Sequence, residues 1–242
     1  MVLKTFLLTL ISLMSVNFIF SQEVTTNKDN SIIFDNIVGL ENTNIFNGKR
    51  YYNAYRTTAN NTNFFKFTDY IKGNVIYNNQ PFFDLDLKYD VTTDQLITKL
   101  TGDKGYINIE LVKNKVNRFQ IDKHHFINSK FLLKDSAIDL GFLELVHTSE
   151  NYTFLIKRDK KVSKKLDNRQ YVFTFKSDDI YYFFFEDKLY EISSYKELRK
   201  IIPDLKKDID GFYRNNKKLL KSDEELFFVN LLKQLEYKKL NK

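Results

Sequence analysis

Asp84-Leu85-Asp86-Leu87-Lys88-Tyr89-Asp90-Val91 alternates strictly between polar and apolar residues. A period of two is the side-chain period of a β-strand; a helix would place apolar residues three and four apart. Leu85, Leu87, Tyr89 and Val91 are expected to face a core, and Asp84, Asp86, Lys88 and Asp90 to face water. One wet face calls for antiparallel pairing, because parallel strands are generally covered on both sides.

The same rhythm spreads outward. Ile107-Asn108-Ile109-Glu110-Leu111 alternates, and so does Tyr171-Val172-Phe173-Thr174-Phe175-Lys176, with aromatic residues on one face. Turn signals punctuate these runs: Lys72-Gly73-Asn74, Asn78-Asn79-Gln80-Pro81, Thr101-Gly102-Asp103-Lys104-Gly105, Lys113-Asn114-Lys115, Ser149-Glu150-Asn151, Asp167-Asn168, Ser177-Asp178-Asp179 and Glu186-Asp187-Lys188. Residues 51–192 therefore read as one antiparallel β domain. The helical crossovers that an α/β enzyme fold needs do not show in the pattern. The expected fold is mainly β, an antiparallel meander, sandwich or open curved barrel, with a C-terminal helical segment; it is α+β overall.

The period changes at residues 193–242. Ser194-Tyr195-Lys196-Glu197 has the form of a capping box, and Pro203 ends the short helix it opens. Asp204 is positioned to cap a second helix, with Leu205, Ile209, Phe212 and Tyr213 on one face. Ser222-Asp223-Glu224-Glu225 has the form of another capping box. It precedes a stripe of Phe228, Leu231, Leu232 and Leu235, expected to pack on the sheet.

Residues 1–21, MVLKTFLLTLISLMSVNFIFS, place Lys4 ahead of an apolar run that ends at Ser21. That is the layout of a secretory signal peptide cleaved after Ser21. The run of about 15 residues is shorter than the roughly 20 a bilayer-spanning helix needs. No later stretch reads as a transmembrane helix. Residues 22–50 are rich in Asn and Thr and read as a loosely ordered lead-in. The expected location is outside the cytoplasm.

The chain of 242 residues holds no Cys, 2 Pro and 7 Gly, so thiol chemistry and glycine-rich phosphate loops are largely excluded. Lys and Arg number 38 against 31 Asp and Glu. The excess is concentrated in residues 157–169, with 7 basic and 2 acidic residues, and in residues 196–242. The run reads first as a solvated loop and the polar faces of helices; as a patch it would attract phosphate-bearing partners such as nucleic acid or anionic lipid head groups. No Arg–aromatic pattern of the kind that stacks bases accompanies the Lys run, so nucleic acid is not the expected partner.

A catalytic or metal site needs groups that converge. His124 and His125 are adjacent and point to opposite faces if they lie on a strand; His147 is isolated in sequence. Asp84, Asp86 and Asp90 would line one strand face, where Asp84 and Asp86 could flank a cation or a sugar. No recognised catalytic or nucleotide-binding motif accompanies them. No catalytic, cofactor or metal residue is assigned on this basis, and no cofactor is expected. The aromatic runs Phe64-Phe65, Phe82-Phe83 and Tyr181-Tyr182-Phe183-Phe184-Phe185 populate both faces of a strand. One face would lie against the C-terminal helices, and the other would be a second core or an apolar groove. Asp135-Ser136-Ala137 looks like the Asp-Ser/Thr-apolar acceptor of O-glycosylation in exported proteins of Bacteroidota, with Ser136 as the acceptor.

Several further stretches belong together: the Ser21-Gln22 junction, Leu87-Lys88-Tyr89-Asp90 ahead of a hairpin, and Gly141-Phe142-Leu143-Glu144-Leu145-Val146 leading to a Lys-rich turn. Tyr181-Tyr182, Tyr190-Glu191-Ile192, Lys196-Glu197-Leu198 and a Lys-rich C-terminal helical pair complete the set. In these the chain resembles a group of exported Bacteroidota proteins without an established activity. The resemblance implies architecture and location (periplasmic, outer-membrane-associated or secreted in a Gram-negative bacterium), not a reaction. The functional expectation is an exported, non-catalytic, envelope-associated binding or structural protein, whose partner is a protein or an apolar small molecule. The alternatives are a periplasmic carrier of an apolar or lipid ligand, and a hydrolase. The oligomeric state stays open.

Overall fold

A computed structural model describes residues 23–57, 61–102, 105–133, 138–167 and 169–240, with the side chains of 23–27 and 238–240 left aside. The main strands are β1 (Lys49–Arg50), β2 (Ile71–Tyr77), β3 (Gln80–Asp90), β4 (Gln95–Gly102), β5 (Gly105–Glu110), β6 (Val116–Ile121), β7 (His124–Asn128), β8 (Phe142–Thr148) and β9 (Tyr152–Lys157). β10 (Lys160–Asp167) and β11 (Gln170–Ser177) form a separate two-stranded hairpin, and β12 (Ile180–Phe185) and β13 (Lys188–Glu191) return to the main sheet. The main sheet has eleven strands, all antiparallel, in the order β1-β5-β4-β3-β2-β6-β7-β8-β9-β12-β13. It is open, and with the C-terminal helices the fold is α+β.

Tight turns set this meander. Asn78 (φ 52°) and Asn79 (φ 64°) join β2 to β3, and Glu186 (φ 49°) and Asp187 (φ 58°) join β12 to β13. Two consecutive residues with positive φ make the turn whose twist matches that of the strands it links. Lys72-Gly73-Asn74, expected as a turn, instead lies inside β2. Gly73 is needed there because a Cβ would collide with the Gln120 carbonyl oxygen across the β2–β6 ladder.

β3 alternates as expected from Leu85 to Tyr89, all three inward residues being buried. The register breaks upstream: Gly73 pairs with Leu85 but Val75 with Phe82, so two residues, Phe83 and Asp84, oppose Asn74. This β-bulge is held by the Asp84 N–H donating to Asn74 Oδ1 at 3.2 Å, with Asp84 at φ 53°. It returns Phe82 and Leu85 to the same face although they stand three apart.

One row of paired residues crosses seven strands: Phe82, Val75, Phe119, Phe126, Glu144, Ile156 and Tyr181. All are apolar or aromatic except Glu144. This inner face carries two cores, one on either side of that carboxylate. The first gathers Tyr77, Phe82, Leu87, Tyr89, Phe119 and Phe126 under a cover that includes Ile45 and Phe65. The second packs Tyr152, Phe154, Ile156 and Phe183 against the C-terminal helices. Two helices come earlier in the chain, α1 (Glu23–Val38) and α2 (Ser129–Leu132); the C-terminal helices are α3 (Tyr195–Ile201), α4 (Lys206–Asn215), α5 (Lys217–Ser222) and α6 (Glu224–Leu240). The stripe Phe228, Leu231, Leu232 and Leu235 is almost fully buried there, joined by Phe227.

Two capping expectations change. Asp204 lies in a 3-10 turn, Pro203–Leu205, rather than capping α4. Asp223, not Ser222, caps α6 by accepting from the Leu226 N–H at 2.9 Å; Glu225 is thereby released for another partner. At α3, the Glu197 carboxylate does accept from the Ser193 and Ser194 N–H groups. Residues 22–50, expected as a loose lead-in, hold a helix over Glu23–Val38 and two 3-10 turns, and Ile45 is fully buried. Among the described residues no helix is long and apolar enough to cross a membrane.

Candidate functional site

Glu144, the single acid in the inner-face row, organises a buried charge cluster between the two cores. Its Oε1 lies 2.5 Å from His124 Nδ1, and its Oε2 accepts from Arg158 Nε at 2.5 Å. Arg158 Nη1 donates to Asp179 Oδ2 at 2.7 Å and Glu225 Oε2 at 2.8 Å, and Nη2 donates to Glu225 Oε1 at 3.0 Å. One guanidinium therefore engages three carboxylates, two hydrogen bonds going to Glu225 as a planar fork. Lys66 Nζ stands 3.4 Å from His124 Nε2. Phe65 meets the His124 ring edge-on at 4.9 Å and lies under the guanidinium at 5.8 Å.

Arg158 and Glu144 are 5% and 4% exposed, so water screens little of this cluster. Burial alone would lower the Arg158 pKa, but the bond to Glu225 and the surrounding carboxylates hold it above its ordinary value. Burial would raise Glu225, and Arg158, by hydrogen bond and charge, holds it below the ordinary carboxylate value. The cluster ties β7, β8, the end of β9, the loop before β12 and the first turn of α6 into one unit. Every polar end of Arg158 is committed to a partner, which suits a clamp rather than a reacting centre.

A second polar centre closes the curl of the sheet around the first core. Asp94, in the β3–β4 turn, accepts from Tyr89 Oη at 2.6 Å, Lys157 Nζ at 2.7 Å and Lys113 Nζ at 2.8 Å. Burial lowers the Lys157 pKa, and Asp94 opposes that shift. Gly141, at φ 70°, stands against the Asp94 carboxylate, where a Cβ would collide with it.

The sequence-derived candidates do not converge. Asp84 is exposed at the bulge, 3.7 Å from Lys28, and Asp86 pairs with Lys72 at 2.9 Å. Asp90, expected to face water, is 1% exposed. Its Oδ2 accepts from Asn63 at 2.6 Å and Tyr51 at 3.2 Å, while Oδ1 accepts from the Thr92 hydroxyl at 2.6 Å and N–H at 3.0 Å. It is turned inward because the strand ends there and its carboxylate satisfies the backbone of the next turn. His124 and His125 do point to opposite faces. His147 packs near α6, its Nε2 3.3 Å from Glu236 Oε2, and burial lowers its pKa. Among the described residues no three His, Asp or Glu side chains are grouped to hold a metal ion. Ser21 and Ser136 lie outside the described residues.

The reverse face of the sheet presents a different surface. The row behind the inner one reads Asn74, Gln120, His125, Leu145, Leu155 and Tyr182 across β2, β6, β7, β8, β9 and β12. Leu155 and Tyr182 are buried in a small third core with Leu143. Toward β2 and β3 the face opens into a groove of about 720 Å³. Its apolar wall is Ile76, Pro81, Phe83 and Leu145, and Arg118, Gln120, Asn74 and His125 offer polar groups along it. Ile76 is paired with Pro81 on one side and Arg118 on the other, so hydrocarbon and cation meet side by side.

No protein-family model, curated protein or solved structure matches this chain. The functional reading therefore rests on these surfaces. The groove was anticipated only in general terms by the aromatic doublet Phe82-Phe83, which places one ring on each face. Arg118 and the Glu144–Arg158 clamp had no motif. The sign of the clamp was Glu144 itself, one carboxylate inside the apolar run Phe142–Val146.

Proposed function

We propose that the protein is an exported, envelope-associated binding protein without a reaction of its own, and that the reverse-face groove holds an apolar ligand bearing an anionic head. The observation that carries this reading is the groove's composition: Phe83, Ile76, Pro81 and Leu145 form its hydrocarbon wall, beside the Arg118 guanidinium. Sites for small apolar ligands combine such a wall with a few polar groups that fix orientation. A ligand lying between sheet and helices, the simplest form of a lipid carrier, has little room. Phe154, Phe183, Phe227, Phe228, Leu231 and Leu232 are 0% exposed there. A hydrolytic reading gains no support from Asp84, Asp86, Asp90, His124, His125 and His147, which occupy separate environments.

The test is calorimetric titration of the full chain with a long-chain saturated fatty acid below its micellar concentration. Saturable binding is expected, weakened tenfold or more in Phe83→Asp, which puts a charge into the apolar wall. Arg118→Ala is expected to bind the fatty acid more weakly but the corresponding fatty alcohol unchanged. Absence of saturable binding, or equal affinity in all three proteins, overturns the assignment.

A further inference from the structure

The β10–β11 hairpin stands apart from the main sheet and carries most of the mid-chain positive charge. Residues 160–177 hold Lys160, Lys161, Lys164, Lys165, Arg169 and Lys176 against one acid, Asp167. Its base is fixed. The Tyr55 ring packs edge-on against Phe173 at 5.2 Å and Phe175 at 5.1 Å. Asn61 exchanges two hydrogen bonds with the Phe175 backbone, and Lys160 Nζ donates to the carbonyls of Thr62 and Phe64.

Beyond that base the apolar residues nearest the tip, Leu166 and Tyr171, face outward. Val162 pairs with Phe175, Lys164 with Phe173 and Leu166 with Tyr171, so these six share one face. Phe173 and Phe175 are covered by Tyr55, whereas Leu166 and Tyr171 toward the tip are 66% and 57% exposed. Lys164 Nζ stands 4.8 Å from the Tyr171 ring centroid; Lys161, Lys165 and Lys176 lie on the opposite face with the buried Val172, and Lys161 is paired with Asp178 at 2.7 Å. Exposed apolar tips ringed by Lys suit a boundary between hydrocarbon and phosphate. Tyr is a residue type enriched at that boundary.

We infer that the tip of the β10–β11 hairpin docks on an anionic lipid surface, with Leu166 and Tyr171 entering the head-group layer and Lys164, Lys165 and Arg169 contacting lipid phosphates. The occupant follows from charge complementarity together with the exposed apolar pair. A polynucleotide would use the same cations, but it would gain little from Leu166. The inference is independent of the groove, which lies on the reverse face of the main sheet.

The experiment is flotation of the full chain with vesicles of phosphatidylcholine alone and with vesicles of equal parts phosphatidylcholine and phosphatidylglycerol. The apolar residues 1–21 are common to every protein compared, so the readout is the preference for anionic over neutral vesicles. Each basic side chain near such a surface is worth roughly fivefold in partitioning. The Lys164→Ser plus Lys165→Ser variant is therefore expected to lose about 25-fold of the anionic preference. The Leu166→Ser plus Tyr171→Ser variant keeps the charge and is expected to bind anionic vesicles more weakly and to be released more readily by salt. Far-ultraviolet circular dichroism checks that both variants are folded. No preference for anionic vesicles, or a preference unchanged in both variants, overturns the inference. So does displacement from vesicles by a short oligonucleotide at equal phosphate concentration.

Discussion

Replacing Arg158 by Met should expose how much the fold depends on the seam between its two cores. Met keeps an unbranched apolar stem against Phe65 but removes the charge and its four hydrogen bonds to Glu144, Asp179 and Glu225. The three carboxylates do not suffer equally. The side chains of Glu225 and Asp179 are 36% and 21% exposed and can turn to water, whereas Glu144 is 5% exposed and cannot. The cost therefore concentrates on Glu144, and breaking a buried pair in this way costs about 3–5 kcal/mol. For a chain of this size that lowers the melting temperature by about 6–20 °C. Urea denaturation followed by circular dichroism measures it. The double variant Arg158→Met plus Glu144→Met removes the stranded charge with its partner, and it should recover more than half of the loss. A single variant that loses less than about 1 kcal/mol, or a double variant whose loss is the sum of two large single losses, would mean that Glu144 is not left stranded by the loss of Arg158.

Glu225 makes a pH-dependent contribution. Its folded pKa is depressed below the unfolded 4.5, so the stabilisation is present above that value and disappears as the pH falls through the folded pKa. The gap in melting temperature between the natural protein and Glu225→Gln should accordingly be open at neutral pH and close on acidification. Gly141→Ala should destabilise by more than about 1 kcal/mol, since it strains a φ of 70° and displaces the Asp94 carboxylate. Gly105→Ala, also at positive φ but with nothing near its Cβ, should cost less in the same denaturation experiment. Leu231→Ala removes a fully buried side chain from the helix–sheet core and should cost about 2–5 kcal/mol.

Period-two patterning made the antiparallel sheet legible from Leu85 to Tyr89, and it put one face of the run Tyr181–Phe185 against the helices; that face is the one carrying Tyr181, Phe183 and Phe185. It failed where a local hydrogen bond outweighed the pattern. Asp90 keeps the polar phase of the alternation, yet its carboxylate is drawn inward by Asn63, Tyr51 and Thr92. Lys72-Gly73-Asn74 has turn composition, but Gly73 serves the close approach of two strands. Glu225 matched a capping box because such boxes are defined by local spacing. The Arg158 guanidinium, 67 positions away, competes for it more strongly than a backbone N–H. Arg158 itself was hidden in a Lys-rich run that reads as solvated. Long-range charge pairs of this kind leave no local signature, and neither does the groove, whose members come from β2, β3, β6, β7 and β8.

We propose that the groove over β2, β3 and β6–β8 is where this protein binds its ligand. Amide chemical-shift mapping of the full chain during addition of a long-chain fatty acid tests it directly. A ligand seated in the groove gives saturable shifts confined to Asn74, Ile76, Phe83, Arg118, Gln120, His125, Leu145 and their strand neighbours. Shifts centred instead on Phe154, Phe183, Phe228 and Leu232, or shifts that never saturate, would contradict it.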